Sequence, residues 1–552
     1  MDTHEFLKEK LPGVIQGDVV FDDETLNKHS RDASIFMMRP KAVVFPKDVA
    51  DVQALARFVS EHKKQYPDLS LTARAAGTDM SGGPLSESIV VSFTKYMNHV
   101  SVQGDRAVVE PGTYYRDFEK ATLEYGLLMP SYPASKDLCA LGGMISNNCG
   151  GELSLKYGKI DKYVESLDVV LADGSLITVK PLTPDELEEK KKLRTLEGDI
   201  YRRMADLIEA NKSRIDSAEP QVTKNSAGYA LWNVWDEERG VFDLTRLIVG
   251  SQGTLGLFTS ATVRLVKPPK HHALLVIFMR DLGKIPDVVN KVLPLRPEAI
   301  ESFDDQTLSL AIRFAPELIR QMKGGIISLA LSFLPEVKMA LFSGLPKLIM
   351  LVEFAGNNEA EVLKAAKEAE RALHGLGLSL RVTNERESQK YWTIRRKSFD
   401  LLRKHYKGLR ASAFIDDVVV RPEELPRFLP EMRAILDKYN IINTVAGHVG
   451  DGNFHIIPLI DFSKPDTPWM LRRLCDEMYA LVKKYRGSIT GEHNDGLIRT
   501  GYLPAMFDEE MIHIFEETEH IFDPQDIFNP GKKVHGSLDD AFKHVIKWEV
   551  KK

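Results

Sequence analysis

The segment His448-Val449-Gly450-Asp451-Gly452-Asn453-Phe454-His455 sets two imidazoles on either side of an Asp-Gly pair. Asp-Gly between alternating residues is a strong signal for a two-residue type I′ hairpin turn. With Asp451-Gly452 at its centre, the register predicts His448 opposite His455, with Cβ atoms roughly 4.5–5.5 Å apart. Two imidazoles so placed can converge on one metal ion, at roughly 2.0–2.1 Å for zinc; otherwise they form a polar pair on a surface hairpin. A third ligand has to come from elsewhere. Glu492, in Gly491-Glu492-His493, is the candidate, a helix-capping role being its ordinary alternative. Arg395, in WTIRRKSF, offers a planar fork matched to a carboxylate, or is a plain helix-surface arginine. Arg396 and Lys397 point elsewhere, because consecutive helix positions diverge.

Three glycine-rich stretches carry a second kind of chemistry: RAAGTDMSGG (74–83), LGGMISNNCGG (141–151) and GSQGTLG (250–256). Glycines admit positive φ and bring backbone N–H groups close to a ligand. Successive N–H groups in such turns form anion-binding nests. Neither a GxxxxGK[ST] loop nor a GxGxxG opening a βαβ unit is present. The stretches are therefore either tight turns or loops that jointly hold a pyrophosphate.

The elements that must position these residues alternate. AVVF (42–45) reads as a strand and Asp48 opens a helix with Val52, Leu55, Ala56 and Val59 on one face. LSLTARA runs as a strand into the first glycine stretch. SIVVSF and RAVVEPG are further strands, followed by a helix near 115–125. Residues 167–179 form a hairpin on Asp173-Gly174, and 183–215 are helical and highly charged. Residues 247–266 read as strand, glycine turn, strand. After Lys267-Pro268-Pro269-Lys270 the texture changes, which places a domain boundary there. A helix is expected over 508–521.

The 552 residues carry 73 Lys+Arg and 79 Asp+Glu, a net charge of −6, which argues against a nucleic-acid binder. Three cysteines suit a reducing compartment and cannot supply the four thiolates of an all-cysteine iron–sulfur cluster. MDTHEFLKEK lacks the apolar core of a signal peptide, and no apolar run reaches the length of a membrane span. The expected location is cytoplasmic; the apolar 325–354 zone, broken by Pro335, Glu336, Lys338, Pro346 and Lys347, reads as core segments, with peripheral contact at the inner membrane face as the alternative.

Taken together, PSYPASKDLCALGGMISNNCGGELSLKYGKIDKYVESLDVVLADG (130–174), GSQGTLGLFTSATVRL (250–265), HVGDGNFH, GEH and FNPGK (528–532) resemble the FAD-linked oxidase superfamily of vanillyl-alcohol oxidase type. Within it they resemble the branch of D-lactate, glycolate and D-2-hydroxyglutarate dehydrogenases, from about Pro40 to Lys533. The resemblance implies an α+β fold: a two-lobed FAD-binding domain (1–268), an α+β cap domain (269–500), and a C-terminal segment (501–552) returning to the FAD domain. It places the FAD at Arg74, Ala75, Ala76, Gly77, Thr78, Asp79, Ser81 and Gly82. The second stretch contributes Pro133, Ala134, Ser135, Gly142, Gly143, Ser146, Asn147, Gly150 and Gly151. Tyr157, Gly158, Gly253, Thr254, Gly256 and Asn529 complete the cofactor set. Where the family has RGGGTSLSGG this chain has Ala75, Ala76 and Asp79. With no histidine in this loop, FAD is expected to be non-covalent.

The same resemblance makes His448, His455 and Glu492 ligands of a divalent metal, zinc or manganese, and His493 the general base. It makes Arg395 the carboxylate-binding arginine and puts Asn225 and Tyr229 in the active-site stretch. GEHNDG replaces the common GEHGIG, so Asn494 and Asp495 should alter the bonding around His493. The expected reaction is oxidation of a D-2-hydroxy acid to the 2-oxo acid by hydride transfer to flavin. Electrons then leave to a separate acceptor: an iron–sulfur protein, an electron-transfer flavoprotein, a cytochrome or a quinone. Phe414 and Ile457 tilt the substrate toward a monocarboxylate or a longer hydrophobic 2-hydroxy acid, whereas GEHNDGLIRTGYL resembles a branch that includes enzymes for dicarboxylates; a homodimer is compatible. The rival reading is a non-catalytic or differently specific flavin subunit of a multi-chain oxidase complex.

Overall fold

The computed structural model describes residues 2–314, 345–383, 387–396 and 408–547. Among the described residues, three sheets of four or more strands carry the fold. The first has the order Asp18–Val20, Ala42–Phe45, Ile89–Ser92, Leu71–Arg74, and its last three strands are parallel. Ala42–Val44 and Ile89–Ser92 are buried throughout, as the unbroken apolar runs of a covered parallel sheet require. Helix Val49–His62 covers this sheet through Val52, Leu55, Ala56 and Val59, and the Asp48 carboxylate accepts from the Asp51 N–H at its start.

The second sheet is antiparallel: Val100–Gln103, Arg106–Val109, Leu257–Arg264, Val164–Val170, Leu176–Val179. The third begins after the Pro268-Pro269 stretch. It runs Ser379–Thr383, His271–Met279, Leu348–Gly356, Ala299–Asp304, Asn443–His448, Asn453–Ile460, Arg410–Ala411, with Val418–Val419 also on Asn453–Ile460. The C-terminal segment returns to the first sheet. Leu71 N–H donates to Ile527 O at 2.7 Å and Asn529 N–H to Leu71 O at 2.9 Å, and Phe528 bridges Leu71 in parallel.

The expected strand at 247–250 is instead the end of a short helix, Thr245–Ile248. The Asp243 carboxylate accepts from the Thr245 N–H and hydroxyl at this helix start, and a glycine turn follows. Of the apolar zone 325–354, residues 325–344 lie outside the described residues. The rest is the buried strand Leu348–Gly356 at the centre of the third sheet. Among the described residues no helix is long and apolar enough to cross a membrane.

Candidate active site

The histidine hairpin forms in a register other than the expected one. Its loop is four residues long: Val449–Asp451 make one 3₁₀ turn and Gly452 follows at φ 67°. Only one residue of the loop has positive φ, whereas a type I′ turn needs two. Tertiary contacts impose the longer loop. Asp451 is drawn to the Lys224 ammonium (3.1 Å) and its carbonyl accepts from the Thr223 hydroxyl. Gly452 lies so close to Val420 that a Cβ would meet its carbonyl oxygen at 1.8 Å. His448 therefore pairs with Asn453, and His455 with Ala446. The two histidines are diagonal neighbours on one face, with ring centroids 5.2 Å apart.

Each imidazole is oriented by a buried carboxylate. His448 Nδ1 lies 2.5 Å from Glu301 Oε1, and His455 Nδ1 lies 3.2 Å from Asp416 Oδ1. That leaves both Nε2 atoms for a common centre, where His448 Nε2 is 3.3 Å from Glu492 Oε1. Ligand atoms of His448, His455 and Glu492 all lie within 4.8 Å of one another. Burial and the Lys224 charge hold His448 neutral, and Glu492, although buried, is held ionised, at about 2, by the Lys224 ammonium. Two imidazoles with anchored Nδ1 atoms and an ionised carboxylate are a donor set a divalent metal accepts, so the residues fit the metal.

His493 stands beside the triad, its ring 5.2 Å from that of His455 and its Nδ1 3.2 Å from Asp416 Oδ2. Burial lowers its pKa, but Asp417 and Asp416 outweigh that and raise it to about 9. The backbone around it is pinned by Asp417 Oδ2, which accepts from the N–H groups of Glu492 (2.8 Å) and His493 (2.7 Å) and from the Thr490 hydroxyl (2.6 Å). Arg395, on helix 387–396, reaches Glu301 Oε2 at 3.0 Å and so stands one carboxylate away from His448. Arg396 instead pairs with Glu152 at 2.6 Å.

The three glycine stretches meet. Asn147 Nδ2 donates to Asp79 Oδ1 (2.7 Å), and Gln252 Nε2 donates to Asn147 Oδ1 (3.1 Å) and Ser81 Oγ (3.2 Å). Asn529 ties the loops together, its amide donating to Gly83 O and Gln252 O. Asp79 organises the first loop by accepting from Ser81 N–H, Ser81 Oγ and Gly83 N–H. Residues 75–80 are half-exposed, and their N–H groups donate to no partner among the described residues. Gly143 faces them across open space, where an added Cβ would meet only Ala75 Cβ at 3.9 Å. A row of open N–H groups beside such a gap fits a dinucleotide diphosphate.

The other expected cofactor residues are dispersed around this centre. Gly77, Gly82, Gly158, Gly253 and Gly256 all have positive φ. Gly142 is pressed against Pro111 O, Gly150 against Ser154 and Gly151 against Tyr132 O, which makes them close-packing positions. Pro133, Ala134 and Ser135 lie toward the surface, whereas Ser146 is half-buried beside Asn147. Tyr157 reaches Glu298 through its hydroxyl. That carboxylate belongs to another imidazole–carboxylate group, with His272 and Glu353, in which Lys156 already holds Glu298.

Asn225 lines a cavity with Asn148, Tyr229, Gly250 and Asn494, and its side-chain oxygen accepts from Ser488 Oγ. The Tyr229 hydroxyl is engaged with Thr254 and Glu519, both at 2.6 Å, on the side of helix Glu509–Phe522. Phe414 is buried in the core, and its carbonyl accepts from the Tyr479 hydroxyl. Sequence reasoning missed Asp416, Asp417, Glu301 and Lys224. Two adjacent aspartates after an apolar pair, Phe414-Ile415, were the available signal for the first two.

Two family models match the chain: FAD binding domain over residues 40–180, and FAD linked oxidases, C-terminal domain, over 268–533. The chain is 29% identical over 522 residues to a D-2-hydroxyglutarate dehydrogenase of Escherichia coli (strain K12), covering 91% of this chain and 49% of that one. It spans about half the length of the first curated relatives it matches. It is 26% identical to the glycolate oxidase subunit GlcD of Bacillus subtilis (strain 168), over 98% of both chains. A D-lactate dehydrogenase of Archaeoglobus fulgidus is 27% identical over 89% of this chain and 91% of its own. Among solved structures, p-cresol methylhydroxylase superposes with a TM-score of 0.67 at 14% identity, covering 98% of both chains. A 4-ethylphenol oxidase from Gulosibacter chungangensis gives 0.65 at 15%, covering 94% of both. At those identities the likeness concerns the fold.

Proposed function

The chain belongs to the FAD-linked oxidases, and we propose that within this family it is a metal-assisted dehydrogenase of a D-2-hydroxy acid. The observation that carries the reading is the histidine pair whose Nδ1 atoms are fixed by Glu301 and Asp416 while Glu492 closes the triad. A dehydrogenase of this type needs such a centre beside a base and a carboxylate-binding cation. His493 and Arg395 stand next to it. The dehydrogenase names of the relatives support the same substrate class.

Oxidation at C2 removes a hydride and a proton. Bound FAD supplies the hydride acceptor, and a zinc or manganese ion on His448, His455 and Glu492 supplies Lewis acidity toward the hydroxyl and carboxylate. Arg395 binds the substrate carboxylate as a fork. His493 takes the hydroxyl proton at an imidazole nitrogen; two adjacent aspartates raise its pKa to about 9, and a cation held on the neighbouring triad would lower it. Burial of the centre excludes water. We further propose non-covalent FAD and reoxidation by a separate electron acceptor, since the three buried cysteines are too few for a cluster.

The test is anaerobic reduction of the bound flavin by D-lactate, glycolate, D-malate and D-2-hydroxyglutarate, each against its L-isomer where one exists. Bleaching by D-acids is the expected result. An unchanged flavin spectrum with every acid rejects the proposal.

A further inference from the structure

The departure GEHNDG from GEHGIG introduces two polar side chains next to His493, and both are buried together with a lysine. Lys533 Nζ lies 2.8 Å from Asp495 Oδ2, 2.8 Å from Asn494 Oδ1 and 3.1 Å from Ser226 O. Both Lys533 and Asp495 are 0% exposed. Asp495 Oδ2 also accepts from the Gly228 N–H, and Asn494 Nδ2 donates to Gly250 O (2.8 Å) and Asn147 O (3.2 Å). Asn494 and Lys533 both hold left-handed backbone, at φ 68° and 67°, which residues other than glycine adopt only when their surroundings enforce it. The next residues continue the seam: Gly496 N–H donates to Gln252 Oε1 and Leu497 N–H to Ser81 O.

Residues 494–497 are therefore bonded to all three glycine stretches, while residue 493 carries the imidazole. Resting on the proposed function, we infer that Lys533, Asn494 and Asp495 form a positioning clamp that couples the cofactor loops to the proton-accepting histidine. A wholly buried ion pair adds little net stability over apolar side chains of the same size. Its effect here is directional: the ammonium satisfies two neighbouring side chains and a carbonyl at once, so residue 494 has one orientation and the adjoining histidine inherits it. Cofactor binding at the glycine loops should consequently tighten the 491–497 backbone.

The experiment uses the full chain. Amide hydrogen exchange of 491–497 is compared with and without added FAD, in the wild type, in Asn494→Gly and in the double variant Asp495→Leu/Lys533→Leu. Glycine suits the φ of residue 494, and the double variant removes both charges together, so neither leaves a buried unpaired charge. FAD is expected to slow exchange in this segment about tenfold in the wild type and far less in either variant, with FAD content retained. Independent of substrate, FAD-insensitive exchange in the wild type overturns the clamp. With D-2-hydroxy acids, the variants should keep KM and lose kcat by roughly 10–100-fold, as small misplacement of a reacting group does, with a displaced pH profile. Wild-type kcat and pH profile in the double variant also overturn it. If no acid reduces the wild-type flavin, the functional reading fails alone and the exchange result still decides the clamp.

Discussion

His455 and His493 share one carboxylate: their rings lie 5.2 Å apart at 24°, and their Nδ1 atoms stand 3.2 Å from opposite oxygens of Asp416. One buried aspartate thus faces both the imidazole proposed as a metal ligand and the imidazole proposed as base. Burial pushes the Asp416 carboxyl up, but the imidazoles it faces hold it well below the usual carboxylate range. Ligand basicity and base position are linked through a single side chain.

Asp416→Asn should expose that link. The amide keeps the shape but removes the charge that faces both rings. Metal affinity is expected to fall about 10–100-fold, and kcat to fall further than metal saturation restores. Titrating metal into the purified variant while following kcat separates the two losses. Full recovery at saturating metal confines Asp416 to the metal site and removes its role toward His493.

Metal removal should leave the flavin in place. The triad draws on the hairpin 443–460 and the loop 491–493, whereas the open N–H groups for the diphosphate belong to 75–80. His448→Ala, like chelation of the wild type, is therefore predicted to lower bound metal and kcat by roughly 100-fold or more with FAD content unchanged. Elemental analysis beside flavin absorbance checks this. Full activity in metal-free protein takes the triad out of the mechanism.

The parts of the site legible in the sequence were those with fixed local geometry. Glycine stretches, the HxGDGNxH spacing and the GEH triplet name loops and side chains that the fold brings together, because each stands within a few residues. Asp416, Glu301 and Lys224 were not legible. Their roles come from strands and loops separated by 39 residues for Asp416–His455, 147 for Glu301–His448 and 268 for Lys224–Glu492. The hairpin register was misread for the same reason. Asp-Gly alone favours a two-residue turn, but Lys224 and Val420, distant in sequence, hold a longer one. Strand positions such as Ala42–Phe45 and the Asp48-capped helix needed no such information.

Stability should depend on pH through Glu519. Its side chain is buried in helix Glu509–Phe522 against the Tyr229 hydroxyl, and burial raises its pKa far above the ordinary carboxyl value, more than the bonds from Tyr229 and Thr254 lower it. A raised folded-state pKa gives stability that is full below the unfolded value near 4.3 and is lost as pH rises toward the folded value. Glu519→Gln keeps an acceptor for Tyr229 and abolishes the titration. The variant should match the wild type near pH 4.5 and exceed it at pH 8 by about 1–3 kcal/mol, the cost of an unfavourably buried polar group. Denaturant melts at the two pH values measure it; parallel curves at both would show that Glu519 titrates normally.

Adjacent glycines at 142 and 143 should separate folding from cofactor binding. Both lie on the short helix Leu141–Ser146, yet their surroundings differ. A Cβ on Gly142 would meet Pro111 O at 2.6 Å and Pro111 Cβ at 2.9 Å, so Gly142→Ala has to displace backbone in the core. Such overpacking costs about 1–3 kcal/mol and should lower the unfolding midpoint. A Cβ on Gly143 meets nothing nearer than 3.9 Å, so Gly143→Val fits the fold without strain of that kind. Its methyl groups enter the gap opposite the N–H groups of 75–80, where the diphosphate is expected. The prediction is a normally folded Gly143→Val protein with FAD affinity reduced at least roughly tenfold, against a destabilised Gly142→Ala that still binds FAD while folded. Circular dichroism melts of the FAD-free proteins and titration with FAD, followed by flavin fluorescence, give both readouts. Wild-type FAD affinity in Gly143→Val would move the diphosphate away from this gap and undo the assignment of the glycine loops.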